Sequence, residues 1–144
     1  MSFQPLNIGS RAYKYIRMGA VKNVIDALIE LITNSHDAYN SDNSLSKPNK
    51  ICIKVNYKDR KYIDNISIID QAIGLTGDDM EKKFLTVGNY TSEKDSRGFF
   101  SRGAKDISNI GNVAFEAIKN DKYSKVEINS EGMGRVVSTD LDVT

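Results

Sequence analysis

The sequence predicts an α+β fold, a two-layer sandwich of a mixed, mainly antiparallel sheet with helices on one face. Three observations predict it. Residues 20–39 repeat apolar side chains at helical spacing. Residues 51–57 and 62–70 alternate apolar with polar side chains, as neighbouring strands do. A second alternating pair, 112–120 and 123–130, follows a polar, glycine-containing stretch, and 135–144 reads as a final strand.

The elements follow in order. Residues 1–19 are mixed: Pro5 and Gly9 interrupt them early, and Arg11 to Met18 read as a short basic helix. From Ala20 the period becomes helical, with Val21, Val24, Ile25, Leu28, Leu31, Ile32 and Tyr39 on one side of a 3.6-residue wheel. The polar run "NSDNSLSKPNK" (40–50) ends that helix with turn residues and Pro48. Ile51, Ile53, Val55 and Tyr57 alternate, "KDRK" turns, and residues 62–70 return as the second strand of a hairpin. "QAIGLTGDDMEKKF" carries two glycines and then an acidic start to a short helix. Residues 85–103 are long, polar and glycine-containing, and loops of that length in compact domains are commonly functional or disordered. Residues 104–111 resume as a helix.

The 144 residues fit one domain with one core, read as residues 1–144, with 1–19 as an N-terminal extension available for a dimer contact. Hydrophobic residues at 40% and charged residues at 27% are ordinary for a water-exposed globular chain. A net charge of +1 argues neither for nor against nucleic acid as a partner. The single cysteine, Cys52, forms no internal disulfide, which favours a reducing compartment. No apolar run reaches membrane-spanning length, and the N-terminus lacks a signal-peptide pattern. The expected location is the cytoplasm, or the nucleus in a eukaryotic source, with no membrane partner.

Glu30, Asn34 and Asp37 fall within roughly 60° of one another on the helical wheel, with Asp26 beside them. A solvated polar face is the ordinary reading of such a stripe. That face normally mixes signs to gain i,i+4 pairs, yet from Asn23 to Ser46 there is no lysine or arginine. Stacked acids call for something positive, and magnesium arriving with phosphates suits oxygen ligands of this kind. A carboxylate beside it could deprotonate a water. His36, the only histidine, lies at the flank of the apolar side and reads as structural.

Asp70 ends an apolar run, where it either starts a turn or accepts a hydrogen bond from a ligand amine such as that of adenine. Ala72 and Gly74 after it are small enough for a flat ring to approach. Gly88, Gly98 and Gly103, interleaved with Lys94, Arg97, Arg102 and Lys105, precede a helix, an arrangement that attracts anions. It is neither a P-loop nor a dinucleotide fingerprint.

In this order the three signals resemble the GHKL ATPases: DNA gyrase B subunits, heat-shock 90 chaperones, histidine kinases and MutL-type repair proteins, whose nucleotide site is the Bergerat fold. The first family motif, E-x-x-x-N-x-x-D-A, is matched by Glu30, Asn34, Asp37 and Ala38. The second, D-x-G-x-G, appears as "DQAIG", with Ala72 replacing a glycine between Asp70 and Gly74. The third, G-x-x-G-x-G, appears as "GFFSRG", with Ser101 replacing a glycine between Gly98 and Gly103. The resemblance covers about residues 20–110 and lies nearer the gyrase, chaperone, MutL and MORC branches than the histidine kinases.

The resemblance implies Mg-dependent ATP binding and hydrolysis. Glu30 would be the general base and Asn34 the magnesium ligand. Asp37 and Ala38 would support the pocket, Asp70 would take the adenine amine, and Gly74 would shape the adenine site. Thr91 and Ser92 resemble the threonine-serine-lysine segment of the MutL branch. Residues 91–105 would form an ATP lid, with Gly98, Arg102, Gly103, Ala104 and Lys105 near phosphate. A homodimer on ATP binding, and a downstream domain or client protein of which this is the N-terminal ATPase, are implied with it. Two other readings stay open: an ATP-gated interaction module with little turnover, and a protein kinase of the histidine or anti-sigma type.

Overall fold

The computed structural model describes residues 2–5, 21–41, 49–85 and 105–143. Strand β1 is the short Gln4–Pro5. Helix α1, Val24–Asn40, starts where the Asn23 side chain accepts a hydrogen bond from the Asp26 amide at 3.0 Å. The Asp26 carboxylate accepts in turn from the Lys22 amide at 3.0 Å. This is an N-cap with a reciprocal acid, worth about 1 kcal/mol. Asp26 therefore serves the cap rather than the stripe beside which the wheel places it.

Strands β2, Ile51–Tyr57, and β3, Ile63–Asp70, form the expected antiparallel hairpin, with Ile51 opposite Asp70. Helix α2, Gly77–Phe84, is capped by Thr76, whose hydroxyl accepts from the Asp79 amide at 3.2 Å. Within the predicted 104–111 helix, Lys105 and Asp106 are helical and run into a 3-10 turn, Ile107–Asn109. Strands β4, Val113–Lys119, β5, Lys122–Ile128, and β6, Met133–Asp142, follow as an antiparallel meander.

The protein is α+β, but the strands do not form the single mixed sheet expected. Among the described residues they form two sheets, ordered β1-β6-β5-β4 and β2-β3, and every pairing is antiparallel. The chain leaves β3 through Gly74, at φ +70°, and reaches β4 by a close approach to the Ile118 backbone rather than by a ladder.

Met80 and Phe84 of α2 pack on Val126 with Leu75, Phe115, Ala117 and Val136 around them. The Phe84 and Phe115 rings stack in parallel, centroids 3.9 Å apart. Ala27 and Leu31 of α1 pack with Val21, Ile107 and Val113. Val113, Phe115 and Ala117 are alternate residues of β4, so both helices use one face of the four-stranded sheet. The other face carries ion pairs from Lys125 to Glu116 and Glu127, and from Arg135 to Glu127.

The buried line of α1 differs from the wheel. Ile25 is 63% exposed and Val24 is exposed as well, while Ala27, Ser35 and Tyr39 are buried. A hydropathy wheel follows the largest apolar side chains, whereas this helix buries a small residue and two hydroxyls that have partners elsewhere. His36 is also exposed, with Nδ1 3.2 Å from Asn40 Nδ2, rather than on a packing side. No helix of the described residues is long and apolar enough to cross a membrane.

Gly74 gives a stability prediction. A Cβ there would stand 2.3 Å from the Ile118 carbonyl oxygen, and φ +70° is unfavourable for an L side chain. Gly74→Ala is expected to lower stability by about 2–4 kcal/mol, from overpacking and backbone strain together. Urea denaturation measures it, and a loss below about 1 kcal/mol would show that this approach is not tight in solution.

Candidate functional site

Helix α1 brings Glu30, Asn34 and Asp37 onto one stripe at spacings of four and three residues. All three are half-buried, as is Ala38. A freely solvated face does not have this burial. Glu30 has its carboxyl pushed above the usual glutamate range, first by burial and then by the negative charge of Asp37. Removing water from one acid while another faces it raises the cost of ionisation.

Ser35, between Asn34 and Asp37, points the other way and is buried. Its hydroxyl donates to Asp70 Oδ2 at 2.6 Å. Asp70 Oδ1 accepts from the Ala72 amide at 3.1 Å, the turn-forming bond that sequence reasoning allows for this residue. An ionised carboxylate offers about four lone-pair sites, so Asp70 retains acceptor capacity beyond these two bonds. Tyr39, one turn further along α1, closes the junction. Its hydroxyl donates to the Lys50 carbonyl and accepts from the Gln71 amide, both at 2.6 Å. Ser35 and Tyr39 thus fasten the stripe-bearing helix to the end of the hairpin that carries Asp70.

Lys83, in the last turn of α2, completes the electrostatics. It is half-buried, and burial lowers its ammonium below the ordinary lysine range. The charges of Asp37 and Asp70 oppose that shift, so the lysine lies within electrostatic reach of both acids. The acids therefore have an internal counter-charge that their own stretch of sequence lacks. Nothing local in the sequence marks Lys83, which reads as an ordinary cation at a helix C-terminus. Ser35 did leave a signal: it interrupts the line Leu31–Ser35–Tyr39 with a hydroxyl that needs a partner.

Lys105 is 1% exposed, and burial pushes its ammonium down to about 8 against the pull of neighbouring Asp106. Its described surroundings are those of a buried residue at the start of the turn before β4. Gly74 sits at the β4 approach already described. Thr91, Ser92, Gly98, Ser101, Arg102, Gly103 and Ala104 lie outside the described residues.

Among the described residues no three His, Cys, Asp or Glu side chains converge to hold a metal ion. A cation at the stripe would then need oxygen donors from its ligand, as magnesium bound with phosphates has. A separate cleft of about 300 Å³ is lined by Phe3, Asn112, Glu127, Asn129 and Arg135 among others. Its polar groups are already engaged. Arg135 Nε donates to Glu127 at 2.9 Å and the guanidinium lies over Phe3, while Asn112 and Asn129 accept from loop amides. The stripe, not this cleft, concentrates the unusual chemistry.

No family model, curated protein or solved structure matches the chain.

Proposed function

We propose that this chain binds ATP with magnesium and hydrolyses it, as a GHKL-type domain with a Bergerat nucleotide site. One observation carries the reading: the Ser35–Asp70 hydrogen bond joins the E-x-x-x-N-x-x-D-A helix to the acid of the second motif, 2.6 Å apart though 35 residues separate them. Two motifs recognised separately in the sequence thus adjoin in space.

The chain's residues divide the work as follows. Asp70 accepts the exocyclic amine of adenine on a lone pair not taken by Ser35 or Ala72. Asn34 would hold magnesium through its side-chain oxygen, and the chemistry that group would supply is neutralisation of phosphate charge. Glu30 takes the proton of the attacking water, and burial, then the charge of Asp37, makes its carboxylate more basic than an ordinary glutamate's. Asp37 adds to the effect of burial on Glu30, and its charge acts with that of Asp70 on Lys83. The resemblance further assigns residues 91–105 to a lid over the phosphates and couples ATP binding to homodimer formation.

Thermal unfolding with a non-hydrolysable ATP analogue, ADP and GTP, each with and without magnesium, tests the reading. At about 100 times Kd a ligand adds about 2.7 kcal/mol, an upward shift of several degrees. The expected order is ATP analogue with magnesium above ADP, and both above GTP. No shift with any adenine nucleotide at millimolar concentration overturns the proposal.

A further inference from the structure

The near-neutral charge of the whole chain conceals a local asymmetry. Residues 50–62 carry Lys50, Lys54, Lys58, Arg60 and Lys61 against one acid, Asp59, for a net +4. The rest of the chain is therefore net −3. All five cations are exposed, and none takes part in an ion pair among the described residues. The one acid is committed to the turn: Asp59 Oδ1 accepts from the Lys61 and Tyr62 amides at 2.8 and 3.2 Å. The Lys58 amide closes the hairpin on the Tyr62 carbonyl at 2.9 Å. This turn holds Arg60 and Lys61 at the tip.

Two tyrosines flank that tip. Tyr57 is 64% exposed and Tyr62 is 65% exposed. A buried tyrosine gains from its area, but a tyrosine left this open gains little unless something covers its ring. Lys54 lies opposite Ser67, on the hairpin face turned away from the Ile51–Asp70 pair that meets α1. Tyr57, in step with Ile51, is on the other face from Lys54, so cations and open rings come together only at the tip, where Lys58, Arg60 and Lys61 lie between Tyr57 and Tyr62 on a ribbon about 20 Å long.

We propose that the tip of the β2–β3 ribbon binds single-stranded nucleic acid, with Lys58, Arg60 and Lys61 on phosphates and Tyr57 and Tyr62 stacked on bases. Interleaved cations and aromatic faces are the chemistry by which single strands are held without sequence preference. A duplex hides its bases and would leave the rings unused. The assignment does not depend on the nucleotide site, because Asp70 is at the opposite end of the ribbon.

Fluorescence anisotropy of the full chain with a labelled 20-nucleotide single strand, across a salt series, tests it. With three phosphates engaged, log K should fall with log salt at a slope of about −2. The triple variant Lys58→Glu/Arg60→Glu/Lys61→Glu should bind at least tenfold more weakly. The milder Lys58→Gln/Arg60→Gln/Lys61→Gln should flatten the slope by about 2 with unchanged circular dichroism. Tyr57→Ala/Tyr62→Ala should lose at least about thirtyfold in affinity at unchanged slope. Lys119→Glu, on another hairpin, should bind as the wild type does. Absence of binding at low salt, undiminished affinity in both triple variants, tighter binding to a matched duplex, or capture by phosphatidylserine vesicles in place of the oligonucleotide would each overturn the assignment. ATP-dependent thermal stabilisation is read separately, so either proposal can fail alone.

Discussion

Glu30→Ala is expected to abolish ATP turnover while leaving nucleotide binding intact. General-base catalysis by a positioned carboxylate contributes about 10²–10⁴-fold, so kcat should fall by at least two orders of magnitude, with the nucleotide Kd within about threefold of wild type. The same change should raise stability at neutral pH. Burial, and then the charge of Asp37, disfavours the ionised form of Glu30, so its folded pKa lies above its unfolded value. The folded state then binds protons more readily than the unfolded chain. The ionised group costs stability above the raised pKa, and that cost disappears as pH falls below the ordinary glutamate value. The variant's advantage should therefore be present at pH 7 and vanish by about pH 4. Lost turnover with gained stability is the pattern of a residue kept for chemistry rather than for the fold. Unchanged turnover would indicate an ATP-gated binding module, while binding lost along with turnover would show that Glu30 holds the helix or ligand instead.

What was legible in the sequence was local. The hairpin 51–70 announced itself by alternation, and α1 by its period and the polar run that stops it. The stripe of Glu30, Asn34 and Asp37 was visible because a helix turns successive residues by a fixed angle. The contacts that give the stripe its character are not local. Ser35 meets Asp70 across 35 residues, and the charges of Asp37 and Asp70 act on Lys83 of a helix with no pattern pointing at them. The division into two sheets is equally non-local, as is the pairing of Gln4 with Gly134. The charge balance carries the same lesson on a larger scale. A whole-chain sum of +1 describes no surface, and it is the hairpin turn that sets Lys58, Arg60 and Lys61 between two open tyrosines.

Asp70→Asn separates the adenine contact from the rest of the site. Asparagine has the same shape, and its side-chain oxygen can still accept from Ser35 or from the Ala72 amide, so the loss in folding stability should stay below about 1 kcal/mol. The charge and one acceptor are gone, however, and the new amide nitrogen confronts the adenine amine donor to donor. Hydrogen bonds to charged groups are worth about 1.5–3 kcal/mol, which corresponds to a loss of roughly 10–150-fold in affinity for ATP and ADP alike. If Asp70 meets the base and not the phosphates, as proposed, both nucleotides should weaken by the same factor, and magnesium dependence should be unaltered. Isothermal titration with each nucleotide measures this directly. A loss confined to ATP would move Asp70 to the phosphate end of the site. Unchanged affinity would remove it from the nucleotide altogether and leave the Ser35 bond as a purely structural tie between α1 and β3.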